Sequence, residues 1–218
     1  MRRLAIGSVV AGLAVAGCTP APVGALWHMD EPSGTTTVVD SVGGHHGRAT
    51  DVVFGEPGYV GSAYRFNGTT SIVRVPHADG LDPGTGGFAF GAWVNFNELP
   101  PERTWDVLRK GVTGTAGGNY KLELFTGNGT ARARCVWKDG QGTSISVVRG
   151  SNLHDGQWHE LTCGRNGSTF SLTVDGGTSS NTASLSSIAN TAELTIGAKA
   201  TDSDVFKGRI DEARVSFS

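Results

Sequence analysis

Carboxyl groups are the first candidates for chemistry in this sequence. Hydrolysis of a glycosidic bond needs two of them across the bond, about 5 to 5.5 Å apart for retention or about 6.5 to 9.5 Å for inversion. Glu123 and Glu160 each stand alone in a strand-like run, and Asp211-Glu212 falls in the last such run. A lone acid on a strand is ordinarily a solvated one, so no catalytic pair is expected and the chain reads as a non-enzyme. Other reaction centres are missing as patterns: there is no His-Glu-x-x-His, no Gly-x-Ser-x-Gly, no phosphate loop and no Cys-x-x-Cys. Gly84-Thr85-Gly86-Gly87-Phe88-Ala89 has the outline of a relaxed dinucleotide loop, but it leads into a strand and reads as a turn.

The residues left for function are those that bind. Flat aromatic rings match the C–H face of a pyranose, and charged neighbours hold its hydroxyls. Trp105, beside Asp106, and Trp137, inside the run Arg134 to Asp139, are two of the five Trp that could make such contact, with Arg134, Lys138 and Asp139 as polar partners. A Trp that packs on its neighbours is the competing reading. His45-His46, next to Gly43-Gly44, reads as a solvated loop.

Strands must position these groups. The 218 residues include 33 Gly and 8 Pro, with 38% hydrophobic and 17% charged. Gly and Pro together stay under the roughly 25 to 30% that marks disordered chains, so a packed core is expected. Phe88, Phe90, Ala92, Val94 and Phe96 alternate with Ala89, Gly91, Trp93 and Asn95, the period of a half-buried strand. Tyr120-Leu122-Leu124, Phe170-Leu172-Val174 and Leu194-Ile196 repeat the alternation. Asn67-Gly68, Asn128-Gly129, Asp139-Gly140, Asn166-Gly167 and Asp175-Gly176 supply turns between them. On the order of a dozen short strands and no amphipathic helix give an all-β, two-sheet antiparallel jelly-roll sandwich in one domain. In the last run Ile210 is core by parity, whereas Ala213, Val215 and Phe217 take the opposite parity, so the register shifts at Asp211-Glu212 through a bulge. A net charge of −2 gives no footprint for a phosphate backbone, and nucleic acid is not an expected partner.

The N-terminus reads as a leader. Met1-Arg2-Arg3 precedes an apolar stretch from Leu4 to Ala16, too short for the ~20 residues of a spanning helix and suited to a signal peptide over residues 1–17. Val15-Ala16-Gly17-Cys18 is similar to a bacterial lipobox, which would place a lipid on Cys18 and leave residues 18–24 as a short tail; cleavage after Ala14-Val15-Ala16 is the alternative. The expected location is therefore outside the cytoplasm, on the cell surface or secreted, with membrane contact only through that lipid. Setting Cys18 aside leaves Cys135 and Cys163, a pair expected to form a disulfide between two runs that could lie side by side. The loop length corresponds to about 3.5 kcal/mol in the chain-entropy treatment.

From Ala25 onward the motifs fall in a recognisable order. Trp27-His28-Met29-Asp30-Glu31 is followed by Ser33-Gly34, Asp40-Ser41 and Gly61-Ser62-Ala63-Tyr64-Arg65-Phe66-Asn67-Gly68. Ala92-Trp93-Val94, Arg109-Lys110-Gly111, Asp155-Gly156-Gln157-Trp158-His159, Leu172-Thr173-Val174-Asp175-Gly176 and Gly208-Arg209-Ile210-Asp211-Glu212-Ala213 complete it. Over residues 25–218 this resembles the LamG-like jelly-roll branch of the concanavalin A-like lectin/glucanase superfamily. The resemblance implies a binding module for a glycan or a cell-surface protein, with a structural envelope role or glycoside hydrolysis as alternatives. The glucanase relatives carry Glu-x-Asp-x-x-Glu on one strand, a run this chain lacks. By position in the family, Trp27, Trp93 and Trp158 are expected in the core or covering a sheet. The resemblance also implies one structural calcium where Asp30, the Asn67-Gly68 turn and Asp211 would meet, although Thr69-Thr70-Ser71 stand where many relatives carry acids.

Overall fold

A computed structural model describes residues 23–101, 104–201 and 203–218. The expected signal peptide, Cys18 and the tail up to residue 22 lie outside the described residues. The first strand begins at Val23, two residues before the boundary expected for the domain.

Sixteen strands form among the described residues, in chain order β1 (Val23–Trp27), β2 (Thr37–Val38), β3 (Gly47–Thr50), β4 (Val53–Pro57), β5 (Ser62–Asn67), β6 (Ile72–Val75), β7 (Phe88–Asn95) and β8 (Trp105–Lys110). They continue with β9 (Gly118–Gly127), β10 (Thr130–Asp139), β11 (Ser144–Arg149), β12 (Trp158–Asn166), β13 (Thr169–Val174), β14 (Gly177–Thr182), β15 (Leu194–Ile196) and β16 (Lys207–Phe217). The first sheet runs β14-β13-β12-β7-β16-β5-β4, with β1 also paired to β16; the second runs β11-β10-β9-β8-β15-β6-β3-β2. Every strand pair is antiparallel, the jelly-roll sandwich that alternation and turn spacing imply.

The inward residues of both sheets make the core. Phe88, Phe90, Ala92 and Val94 of β7 face Tyr120, Leu122 and Leu124 of β9, and all seven are buried. At Asn128-Gly129 both residues hold positive φ (54° and 74°), the pair a two-residue hairpin requires, and β9 and β10 therefore pair Gly127 with Thr130 and stay in step along their length. Cys135 in β10 and Cys163 in β12 form a disulfide with Cα atoms 5.8 Å apart. The two cysteines sit in opposite sheets, not side by side in one sheet, because both point inward; the crosslink passes through the core.

The bulge expected in the last strand is present. The register of β16 against β7 shifts between Asp211 and Arg214, and Glu212 has φ 50°. Before the shift, Lys207–Ile210 pair with β5; after it, Ala213–Ser216 pair with β1. One strand thus serves two partners, and the bulge lies where it passes from one to the other.

Candidate binding groove on the second sheet

Alternation puts charge on the outside of the second sheet. With Tyr120, Leu122 and Leu124 turned inward, β9 turns Asn119, Lys121, Glu123 and Phe125 outward; β10 buries Ala131, Ala133, Cys135 and Trp137 and turns out Arg132, Arg134, Val136 and Lys138. The hairpin register sets Glu123 opposite Arg134 and Lys121 opposite Val136, while β8 sets Asp106 opposite Glu123 and Arg109 opposite Lys121. The result is a groove of about 460 Å³ whose lining includes Arg109, Asn119, Lys121, Glu123, Arg134 and Lys138, with Ser144 and Ser146 of β11 as its wall.

Its charges are layered. Glu123 is fully buried and accepts from Lys121 Nζ and Arg134 Nε on its two oxygens, and those cations keep 18% and 34% side-chain exposure. Burial would raise the Glu123 carboxyl, but the charges and hydrogen bonds of Lys121 and Arg134 outweigh it and hold it below the ordinary carboxylate value. Asp106 is also fully buried and accepts from Arg109 Nη1 on Oδ2, while Oδ1 has no hydrogen-bond partner among the described residues. Burial, only partly opposed by Arg109 and Lys121, raises its pKa. Arg109 itself is fixed by a 2.9 Å bond from Nε to the Gly111 carbonyl. Arg134 also lies over the Phe125 ring at 5.0 Å, which holds its long side chain along the sheet.

Arg134 and Lys138 are therefore where a ligand could touch them, and the other three residues expected to bind are not. Trp137 is fully buried, packed on Phe90 at 6.1 Å and Phe170 at 5.1 Å. Trp105 is 5% exposed and packs edge-on to Phe96 and Phe206. Both point inward by strand parity, so the packing alternative holds for them. Asp139 is buried in the β10–β11 turn, where Oδ1 accepts the Gln141 and Thr143 N–H groups at 3.0 and 2.8 Å and Oδ2 the Ser186 N–H at 2.9 Å. Glu123, expected as a solvated acid, is the buried centre of the groove.

Of the framework tryptophans, Trp27 is buried and donates to the His45 carbonyl at 2.9 Å. Trp93 lies on the outer face of the first sheet with the Tyr59 ring stacked on it at 3.4 Å, and Arg209 lies over Trp158 at 5.5 Å. Beside Trp93 is a shallow hollow bordered by His28, Asp30, Glu160, Glu212 and Arg214. Four of its charges are already paired, His28 with Glu212 at 2.8 Å and Glu160 with Arg214, Asp30 Oδ1 accepts the Ser62 N–H, and one face of Trp93 is covered by Tyr59.

The residues expected to hold calcium do not converge. Asp30 Oδ1 accepts the Ser62 N–H at 2.7 Å, and Asp211 Oδ2 accepts those of Tyr59 and Val60 at 2.8 and 3.0 Å, so both grip the turn between β4 and β5. Asn67 and Gly68 are at the other end of β5, about 16 Å along the strand from Ser62 at 3.3 Å per residue. Asn67 Oδ1 is occupied by the N–H groups of Thr69, Thr70 and Ser71. Backbone donors fill these oxygens where a cation would need acceptors, and the four residues do not fit one calcium. A separate group, His77, Asp79 and Asp82, brings ligand atoms within 4.8 Å of one another. The Lys110 ammonium already supplies the cation there, 2.6 Å from Asp82 Oδ1.

Comparison with known proteins follows this geometry. Residues 67–217 match the family model Laminin_G_3, of the concanavalin A-like lectin/glucanases superfamily. No curated protein sequence matches the chain significantly. Among solved structures, the binding domain of Paraclostridial Mosquitocidal Protein 1 superposes with a TM-score of 0.71 at 14% identity, covering 90% of this chain and 48% of that one. Domain 4 of AbnA, a GH43 extracellular arabinanase from Geobacillus stearothermophilus solved with arabinotriose, gives 0.65 at 20% identity over 91% and 93% of the two chains. The botulinum neurotoxin serotype D binding domain gives 0.67 at 10% identity, covering 90% and 47%. The chain thus spans about half the length of the toxin binding domains and nearly all of the arabinanase domain. At these identities the likeness is one of fold.

Proposed function

This chain belongs to the concanavalin A-like lectin/glucanases superfamily, and from that premise we propose that it is a noncatalytic, exported module that binds carbohydrate in the groove on its second sheet. The observation that carries the reading is the groove itself: a polar depression on the outer face of the second sheet, with Lys121, Arg134 and Lys138 beside the neutral Asn119, Ser144 and Ser146. Its size falls in the usual range for small-molecule sites of about 300 to 1,000 Å³. Two fold relatives engage sugars, arabinotriose for the arabinanase domain and gangliosides for botulinum neurotoxin type C, which makes glycan the first partner to test.

Both acids near the groove argue for binding without hydrolysis. Glu123 is held ionised between two cations and Asp106 is sealed beneath Arg109, so neither carboxyl can reach a glycosidic oxygen as a general acid. The disulfide supports an oxidising compartment, in keeping with the leader. Attachment through a lipid on Cys18 is part of the same proposal. An array of glycans that includes cell-wall polymers tests the reading: a specific hit that Arg134→Ala weakens while the melting temperature holds supports it. Silence across the array shifts the weight to a protein partner or a spacer role.

A further inference from the structure

We propose that the groove selects a carboxylate-bearing sugar over its neutral counterpart; this rests on the carbohydrate reading above and specifies it. Four cations, Arg109, Lys121, Arg134 and Lys138, line the groove, against one lining acid, Glu123, with Asp106 beneath. The whole chain carries −2, so this positive excess is local and not a reflection of overall charge.

Exposure sharpens the asymmetry. The Asp106 and Glu123 side chains are 0% exposed, whereas those of Lys121 and Arg134 are 18% and 34% exposed. A ligand entering the groove therefore meets cations and neutral amide or hydroxyl groups, and no carboxylate.

The donors are also unspent. Arg134 commits Nε to Glu123, leaving both Nη nitrogens without a protein hydrogen bond among the described residues. Lys121 uses one of its three ammonium protons on Glu123. Lys138, opposite Asn119 across the hairpin, makes no ion pair or side-chain hydrogen bond among the described residues. Glu123 thus orients two cations without exhausting them. A guanidinium edge held in place by a buried acid and an aromatic ring offers the planar fork that a carboxylate matches with two parallel bonds. A hydroxyl would leave much of that donor capacity unused. Asp106, paired with Arg109 beneath the groove, offsets that cation, so the excess a ligand meets rests on Lys121, Arg134 and Lys138 against Glu123.

Isothermal titration of the purified full chain tests this with two matched pairs. An oligogalacturonate is compared with the same oligomer after carboxyl reduction, and a sialyllactose with lactose; the pairs separate a uronate source from a sialate one. We expect the acid member of at least one pair to bind about 10- to 100-fold more tightly, the range for hydrogen bonds to a charged group. The preference should shrink as salt is raised. Arg134→Gln and Lys138→Gln should each weaken the acid member by a larger factor than the neutral member, so that the preference shrinks; Lys138 has no ion pair or side-chain hydrogen bond among the described residues to lose. Equal binding within both pairs, with a neutral glycan bound elsewhere on an array, overturns the inference and leaves the carbohydrate reading intact. A preference for sulfated sugars over carboxylated ones, or one untouched by both variants, also overturns it. Absence of binding to any glycan overturns the reading beneath it.

Discussion

Asp211→Asn tests how the bulge in β16 holds the fold together. The Asp211 carboxylate is fully buried and accepts three backbone N–H groups, from Tyr59, Val60 and Glu212. Burial, opposed by those hydrogen bonds and aided by the neighbouring Glu212 charge, pushes its pKa up to about 6 from 3.8. The folded protein then binds more protons than the unfolded chain between those values, so stability falls as pH rises through this window and levels off above it. A gap of about 2 units at 1.36 kcal/mol each sets an upper limit of about 3 kcal/mol. Asn keeps an acceptor for Tyr59 and Val60 and cannot ionise. His28 is raised by its hydrogen bond to Glu212 and loses its own contribution at higher pH, so the comparison is made between the two proteins and not on one alone. Urea unfolding at about pH 4, 5, 6 and 7 should show the variant gaining on the parent by about 2 to 3 kcal/mol, nearly all of it below about pH 6.5. A difference that stays constant across the series, or moves toward the parent, would refute the reasoning.

Other expectations concern the core and the leader. Trp137→Ala should cost about 3 to 5 kcal/mol, whereas Trp137→Phe should cost far less, since the buried indole N–H has no hydrogen-bond partner among the described residues; denaturant midpoints separate the two. Replacing Cys135 and Cys163 together by Ala should lower stability by about 3.5 kcal/mol, read by urea unfolding against the oxidised parent. Incorporation of labelled palmitate by cells making the protein should vanish in Cys18→Ser; a parent that takes up no label removes the anchor.

Period-two alternation and the Asn-Gly and Asp-Gly turns were sufficient for the sandwich and its core, because strand geometry reads directly as which residues are apolar. The parity switch in the last strand likewise located the bulge at Asp211-Glu212. The groove is legible in principle through the hairpin register. A two-residue turn at Asn128-Gly129 forces Gly127 opposite Thr130, and counting back along both strands brings Glu123 to Arg134. Taken singly, Glu123 reads as a solvated acid; through the hairpin it is an acid facing Arg134, and the structure shares it between Arg134 and Lys121. The same parity that buried Cys135 also buried Trp137, so the aromatic signal pointed at the wrong face. The Cys135–Cys163 pairing is legible, but inward-facing cysteines from opposite sheets leave the same sequence trace as cysteines on strands that lie side by side. The calcium expectation failed on distance: Ser62 and Asn67 are opposite ends of one strand, and a turn motif carries no information about which end meets Asp211.

The central claim is that ligand enters the groove of the second sheet. Titrating the isotopically labelled protein with the best glycan and following backbone amide shifts tests it most directly. The account predicts that the shifts concentrate at Lys121, Glu123, Arg134, Lys138 and Ser146; shifts confined to Tyr59, Val60 and Trp93 on the other sheet would contradict it.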